Sequence, residues 1–564
     1  LALTVMVTSV QSMFLPPFID RFPHIIQETA PKNQSPECFP RFVSYKWKSG
    51  EGAMCVKKKA FFINAVILTL SSLVGRFLYM GFRVWFSQLI GPEGMGAYQL
   101  ILSVFLPAVA ISTAGVSLTV TRLVTSAMGK KQPETIPSAV ARCFGFSLLM
   151  SLTACVVLWL GADSLSEKFL GGNSAQALRM LVPGLPFMAL SACMRGYFLA
   201  VRGVIRSAIS EFAEQLATIS LTVAAFWLLS PKTVADACLY SMLGATVGEG
   251  VSCGCSFLLY RLHVRRYRSA QNRPCTGAGK AILHITLPST LSHAARSVLS
   301  AAENLLIPLG LRKCGATASA ALAQYGMLQG MVMPLLFFPS CFLGAFASLL
   351  IPEMSESLAA GKNRSIASVT GRSLRLTLLF SVFTASFFVA FGREIGVLFY
   401  RQEEAGELLR LLAPLVPLLY LDMVTDGLLK GLDQQLRSLA YNTLDASLRV
   451  ALMAGILPLM GLKGYFCILY SCGILNVTLS LSRLLKTAGI RFRMMEWVVL
   501  PLLGAGVCIG GWSMLPVPSV SQPLGLILAV ICTGGGYLLY VSGIKAVLQK
   551  RKGLFSRHSL TKAV

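Results

Sequence analysis

Apolar residues run in uncharged blocks of membrane-spanning length along almost the whole chain. A helix needs about 20 mostly apolar residues to cross a hydrocarbon core. No charged residue stands between Arg142 and Asp163, or between Arg375 and Arg393. Between Glu496 and Lys545 the uncharged stretch is too long for one crossing, and Pro516, Pro518 and Pro523 divide it into a helical hairpin. The same reading predicts fourteen helices. The first half holds α1 (Ala60–Ile90), α2 (Ala97–Val120), α3 (Val140–Trp159), α4 (Ala177–Ala200), α5 (Arg206–Leu229) and α6 (Val234–Tyr260). The second holds α7 (Ile282–Leu309), α8 (Ala320–Leu350), α9 (Leu374–Phe391), α10 (Leu408–Leu429), α11 (Ser438–Leu457) and α12 (Tyr465–Leu485). The hairpin supplies α13 (Trp497–Met514) and α14 (Leu524–Leu548).

A repeat lies beneath this count. The segment Leu178-Arg-Met-Leu-Val-Pro-Gly-Leu-Pro186 is echoed by Leu409-Arg-Leu-Leu-Ala-Pro-Leu-Val-Pro417. One offset of 231 aligns Arg179 with Arg410, Pro183 with Pro414, Pro186 with Pro417, Gly196 with Gly427, Arg206 with Arg437 and Ser207 with Ser438. Tyr98 and Pro107 recur at Tyr325 and Pro334 with unchanged spacing, and Gly129-Lys130 recurs at Gly361-Lys362. The repeat carries α2 and α4 onto α8 and α10, so its unit is six helices. An even number preserves orientation, which predicts two parallel lobes with a site between them. The expected fold is therefore an all-α integral membrane protein of fourteen transmembrane helices: two parallel six-helix repeats and a two-helix C-terminal hairpin. Its divisions fall at 54–270 (N lobe), 271–493 (C lobe), 494–548 (hairpin) and 549–564 (basic tail).

Composition and charge then sharpen the picture. Hydrophobic residues make up 54% of the chain and charged residues 13%, a membrane composition. The net charge of +26 would suggest nucleic acid in a soluble protein. Here the basic residues cluster in alternate loops, so they report topology and no nucleic acid is expected. One set of loops and the C-terminal end hold 31 basic residues, from Lys57–Lys59 to Lys562; the opposite set holds nine, from Lys168 to Lys463. The positive-inside rule places both ends of the bundle in the cytoplasm, as an even helix count also requires. Residues 1–53 lack a basic region ahead of Leu1–Val10, unlike a signal peptide. Met54, followed by three lysines, reads as a start, which makes 1–53 a disordered or non-native extension.

Charges inside spans are costly and usually face a cavity. α1 carries Arg76 and Arg83, seven residues apart and so on one face. α7 carries His293, Arg296 and Glu303. α4 has Arg195, α5 has Glu211 and Glu214, and α6 has Glu249, expected as structural or coupling charges, with Arg195 paired to Glu211 or Glu214. Asp422, Asp426, Asp445 and Arg449 lie on α10 and α11, and Asp426 with Lys430 reads as a structural pair. α1 holds no acid to neutralise its arginines. A guanidinium meets phosphate oxygens in bidentate geometry, so Arg76, Arg83 and Arg296, with His293 and Glu303 beside them, are the expected substrate-binding residues. The 15 cysteines are scattered, and Cys253-Gly-Cys255 is the nearest approach to a metal pair. No Walker A loop or nucleophile elbow occurs, so neither an enzyme nor a cofactor is expected.

Several motifs resemble one family. They are Ser71-Ser-Leu-Val-Gly-Arg76, Gly91-Pro-Glu-Gly94 with Tyr98, Arg195-Gly-Tyr-Phe198, and Ser210-Glu211 with Glu214-Gln215. Leu287-Pro-Ser289, Glu303-Asn304 with Ile307-Pro308, and Leu350-Ile-Pro-Glu353 continue the series. Over about 54–548 the chain resembles stage V sporulation protein B and its relatives. These are the polysaccharide-type flippases of the multidrug/oligosaccharidyl-lipid/polysaccharide exporter superfamily, related to the lipid II flippases. The resemblance implies a multi-pass protein of the bacterial cytoplasmic membrane that works by alternating access, with a cationic cavity from α1, α2, α7 and α8. It implies an undecaprenyl-pyrophosphate-linked glycan as substrate, such as lipid II, and a tail groove at α13 and α14. Membrane lipids, a coupling ion and cell-wall synthesis proteins are the other expected partners. Two alternatives stand: a cation-coupled multidrug antiporter of the same superfamily, and a non-transporting scaffold for envelope or spore-cortex synthesis. The antiporters bind cations through acidic residues, including an Asp in the first helix of many members, where this chain has arginines.

Overall fold

The structure, a computed structural model, describes residues 52–129, 132–170, 175–265, 279, 282–514 and 522–560. The N-terminal extension up to residue 51 and the last four residues of the tail lie outside them. The described residues form helices and no strand. Lipid offers no hydrogen bonds, so each apolar block must satisfy its backbone internally, and a helix does so within one segment. Twelve helices are long and apolar enough to cross a membrane, among the described residues. Residues facing away from the protein are large and apolar, among them Val157, Leu160, Trp227 and Leu459, as a lipid contact requires.

Two of the twelve are far longer than a bilayer: Leu73–Gly129 has 57 residues and Gln435–Ala488 has 54. At 1.5 Å per residue each would reach roughly 80 Å, against a core of ~30 Å. Each turns back on itself at one glycine. Gly91 has φ 69° and ψ −179°, and Gly461 has φ 57° and ψ −137°. L side chains are strained in that region, so the reversals need glycine. Gly91 separates α1 from α2, with Pro92 opening the new helix. Gly461 separates α11 from α12. α2 has a second break at Gly115 (φ 75°), inside its expected bounds, and its last piece, Val116–Gly129, continues nine residues past them.

α7 spans Leu287–Lys313, and the polar series Ser289, Thr290, Ser292, His293, Arg296 and Glu303 keeps it out of the twelve. α8 comes in two pieces, Ala318–Phe337 and Ser340–Ala359, with Pro339 at the bend. Its first piece contains a π-helical turn over Gly326–Val332. α4 and α10 are each interrupted near their prolines. α4 runs as Ala175–Leu181 and Gly184–Ala200, and α10 as Glu403–Leu412, a 3₁₀ turn at Ala413–Leu415, and Val416–Gly431. Each is followed by a left-handed residue, Arg202 (φ 55°) and Asp433 (φ 57°). The next such positions are Ser230 and Gly461, so both pairs are 231 residues apart.

Contacts divide the chain into two compact units. Val66–Leu502 forms the larger. In it, small residues let helices approach closely, as they do in lipid where no hydrophobic force drives association. Gly244 and Gly248 of α6 lie against Thr222 and Thr218 of α5. One core gathers Val120, Ile136, Cys143, Tyr197, Tyr260 and Ile282. Within it the Tyr197 hydroxyl and His263 Nδ1 are 2.8 Å apart. The second unit, among the described residues, combines 52–65 with 503–514 and 522–560. There Gly504 faces the ring of Tyr540 and Gly536 the sulfur of Cys508, so the two arms of the hairpin pack side by side.

Candidate functional site

The site is built where α1, α2, α7 and α8 meet. The first seam lies at the Gly91 end, and glycine sets its depth. A methyl group on Gly326 would stand 1.9 Å from the Pro92 carbonyl oxygen and 2.5 Å from the Gly96 nitrogen. One on Gly96 would stand 2.2 Å from the Leu322 carbonyl oxygen. The backbones of α2 and α8 therefore touch directly, with Gly326 and Gly330 spaced as a small-xxx-small pair. Polar contacts flank the seam. Ser319 donates to Glu93 Oε2 at 2.7 Å, and the Ser103 and Tyr325 hydroxyls are 3.4 Å apart.

Arg83 closes this seam from α1. Its Nε donates to the Gly330 carbonyl at 3.0 Å and its Nη2 to the Gln329 carbonyl at 3.1 Å. The local reason is the π-turn. Widening the helix to i→i+5 pairing re-aims carbonyl oxygens that a regular α-helix would hold along its axis. Two of them meet the fork of the guanidinium, so a cation is held inside the bundle with no carboxylate. The neighbouring turn is pinned as well: the Tyr400 hydroxyl donates to the Met331 carbonyl at 2.8 Å, and Gln329 Nε2 to the Tyr465 hydroxyl at 3.3 Å.

The second seam lies where α2 breaks and α7 begins. The Thr119 and Thr286 hydroxyls are 2.7 Å apart, and Thr290 donates to the Ala114 carbonyl at 2.6 Å. Gly115 allows this approach, since a methyl group there would lie 2.7 Å from the Thr286 carbonyl oxygen. Between the seams α1 and α8 touch through Phe77 and Phe338, edge to face with centroids 4.7 Å apart.

The charged residues separate into groups. Arg76 is exposed and makes no hydrogen bond or ion pair among the described residues. His293 and Arg296 are exposed on the first half of α7. Glu303 does not pair with Arg296. It accepts from Arg449 Nη1 of α11 at 3.1 Å, while Arg449 Nη2 also binds Asp445. Side-chain exposures of 15% for Glu303, 26% for Arg449 and 7% for Asp445 make this a largely desolvated triad. It removes the one acid of α7 from its arginine. Across α4, α5 and α6, Glu214 and Arg195 are charge neighbours of Glu249. Neither Glu211 nor Glu214 forms an ion pair with Arg195; Glu211 instead accepts from Ser207 at 3.4 Å. Asp426 and Lys430 do form their pair, at 2.5 Å.

Sequence reasoning marked Arg449 and Asp445 as charges within spans without giving them a partner; their spacing of four was the available signal. It did not find Gln329, Gly326 or Gly330. The Gly-Met-Leu-Gln-Gly spacing was visible, but a π-turn leaves no mark in hydropathy.

Comparison with known proteins fits this architecture. A family model described as "Polysaccharide biosynthesis protein" matches residues 62–358, and the MatE model matches 288–454. Stage V sporulation protein B of Bacillus subtilis is 23% identical over 451 residues, covering 78% of this chain and 87% of the relative. The lipid II flippase MurJ of Bacillus subtilis is 23% identical over 428 residues, covering 71% and 77%. Among solved structures, a lipid II flippase MurJ in an inward closed conformation matches with a TM-score of 0.65 at 12% identity, covering 86% of this chain and 99% of that one. An inward-facing multidrug resistance MATE family transporter of the MOP superfamily matches with a TM-score of 0.60 at 17% identity, covering 75% and 97%. The MurJ proteins are named as flippases and the MATE protein as a transporter, not as enzymes, and the helices make this a multi-pass membrane protein with the fold of those structures. The family model spans more than half of the chain, and the chain belongs to the polysaccharide biosynthesis protein family.

Proposed function

We propose that the protein is a flippase. It moves an undecaprenyl-pyrophosphate-linked glycan, lipid II or a polysaccharide precursor, across the bacterial cytoplasmic membrane by alternating access. The observation that carries this reading is the state of three cations. Among the described residues Arg76 and Arg296 have no carboxylate partner, Arg83 is held by carbonyls alone, and the one acid of α7, Glu303, is taken by Arg449. A cleft between α1 and α7 lined by these side chains is cationic, which suits a pyrophosphate; in this reading the glycan takes the hydrated cleft and the tail stays in lipid. Relatives named as a lipid II flippase and as a sporulation protein support it.

The finer architecture follows the same reading. Leu73–Gly129 and Gln435–Ala488 count as two crossings each, the two pieces of α8 as one, and α7 is added, which makes fourteen. The paired left-handed positions 231 residues apart support a duplication into lobes 54–270 and 271–493. Both ends then face the cytoplasm, so the Gly91 seam is the outer gate and the Thr119–Thr286 seam the inner one. A cation-coupled antiporter is the second reading. The Glu214–Glu249 pair favours it, and in the flippase that pair serves a coupling ion. The decisive experiment is a lipid II translocation assay with Arg76→Ala, Arg83→Ala and Arg296→Ala made singly. Losses of tenfold or more are expected, and wild-type rates in all three would remove the cationic-cleft mechanism.

A further inference from the structure

A cavity of about 480 Å³ lies between α9, which spans Asn363–Tyr400 in the structure, and the turn from α12 to α13. Gly371, Gly489, Ile490, Arg491, Arg493 and Trp497 line it. Its charge is compensated only in part. Arg493 has Glu496, whose two oxygens both stand at 3.3 Å. Arg491 has no carboxylate within 4 Å among the described residues. Arg375 lies one turn beyond Gly371 on the same face of α9, and its Nε is buried with no hydrogen-bond partner. The walls suit a ligand that is polar at one end only. Trp497 is buried, with Phe492 edge-on at 5.1 Å. Met494 and Met495, which stand in the chain between the lining residues Arg493 and Trp497, are 62% and 65% exposed. Both glycines face open space, because a Cβ on either would meet nothing within 4 Å.

We infer that this cavity binds the phosphodiester headgroup of an anionic phospholipid, with Arg491 and Arg375 on the phosphate and Met494 and Met495 against its acyl chains. Arginine pockets between helices on the cytoplasmic side hold such headgroups, and an indole belongs at that depth. The orientation is the one proposed above, but the binding does not depend on transport. A lipid, and not a soluble anion, fits because the two exposed methionines join the charged pocket to the bilayer. The ligand would bridge α9 to the entry of α13 and tie down the turn at Gly489.

Native mass spectrometry of the full chain, released from detergent, tests this with phosphatidylglycerol, phosphatidylcholine and inorganic phosphate as separate titrants. Phosphatidylglycerol is expected to give one saturable adduct that phosphatidylcholine does not. Arg491→Ala and Arg375→Ala should each weaken it about tenfold, the loss of one charge-assisted contact. Gly371→Leu should exclude the headgroup by filling its space, and it meets no atom that would prevent folding. Unchanged adducts in all three variants would overturn the assignment. So would equal binding of phosphatidylcholine, or displacement of the lipid by millimolar phosphate, which would mark a soluble-anion site. Lipid translocation measured on Arg491→Ala separates this site from the cleft, since that residue takes no part in the cationic-cleft mechanism.

Discussion

Replacing Gly326 with alanine tests whether backbone contact between α2 and α8 is what closes one face of the transporter. The added methyl would sit 1.9 Å from the Pro92 carbonyl oxygen, where Cβ contacts below 3.0 Å essentially never occur. The helices must therefore part by about 1 Å or more, the difference between these two distances. Arg83 spans the same seam with bonds of 3.0 and 3.1 Å to Gly330 and Gln329. Lengthened by that amount, both pass beyond hydrogen-bonding range. Two bonds from a charged donor contribute roughly 1.5–3 kcal/mol each, so the closed state loses roughly 3–6 kcal/mol. That is roughly a hundredfold to ten-thousandfold change in the closed-to-open ratio. Spin labels on Leu89→Cys and Ala320→Cys, in a cysteine-free background, read the separation by double electron–electron resonance. The expected result is a longer, broader distribution in Gly326→Ala. Gly145→Ala is the control, because its methyl meets nothing within 4 Å. An unchanged distribution in folded Gly326→Ala would refute the reasoning.

Three further expectations follow from the same contacts. Arg449→Met leaves Glu303 and Asp445 without their cation, and should cost about 3–5 kcal/mol, read as a lower melting temperature; adding Glu303→Gln should restore part of it. Thr119→Val with Thr290→Val removes the side-chain bonds of the second seam and should shift the same spin-label distances the opposite way from Gly326→Ala, toward the state closed at the Gly91 end. Gly461→Ala should cost about 1–2 kcal/mol in thermal stability, because it forces an L side chain into a left-handed backbone with the Cys314 sulfur 3.1 Å away.

Much of this molecule is legible in the order of its residues, and the divide is physical. Uncharged runs mark helices because lipid penalises every unpaired polar group, so α3 (Ile136–Leu165) appears within a few residues of its expected place, whereas α9 (Asn363–Tyr400) contains its expected span and runs about ten residues past each end. Boundaries drift where structure continues past the apolar core, as α2 does to Gly129 and α14 to Leu560. Single charges in spans were visible, but their partners were not. Glu303 and Arg296 share a helix face by spacing, yet the ion pair goes to Arg449, 146 residues away. Arg83 stood out as a cation in lipid, while its acceptors, two backbone carbonyls exposed by a π-turn, have no signature in residue type. Tertiary pairing decided both, and pairing across the bundle is what periodicity along one helix cannot report.

The carbonyl grip on Arg83 bears on how this gate can change over generations. A carboxylate partner could be lost or swapped by one codon, leaving a matched pair of altered positions. Main-chain oxygens survive every substitution of Gln329. Revertants of an Arg83 defect should therefore not arise by exchanging the side chain it faces. They should arise from changes that alter the winding of α8, such as a one-residue insertion or deletion near Gly326–Val332, or from loss of a glycine at the seam.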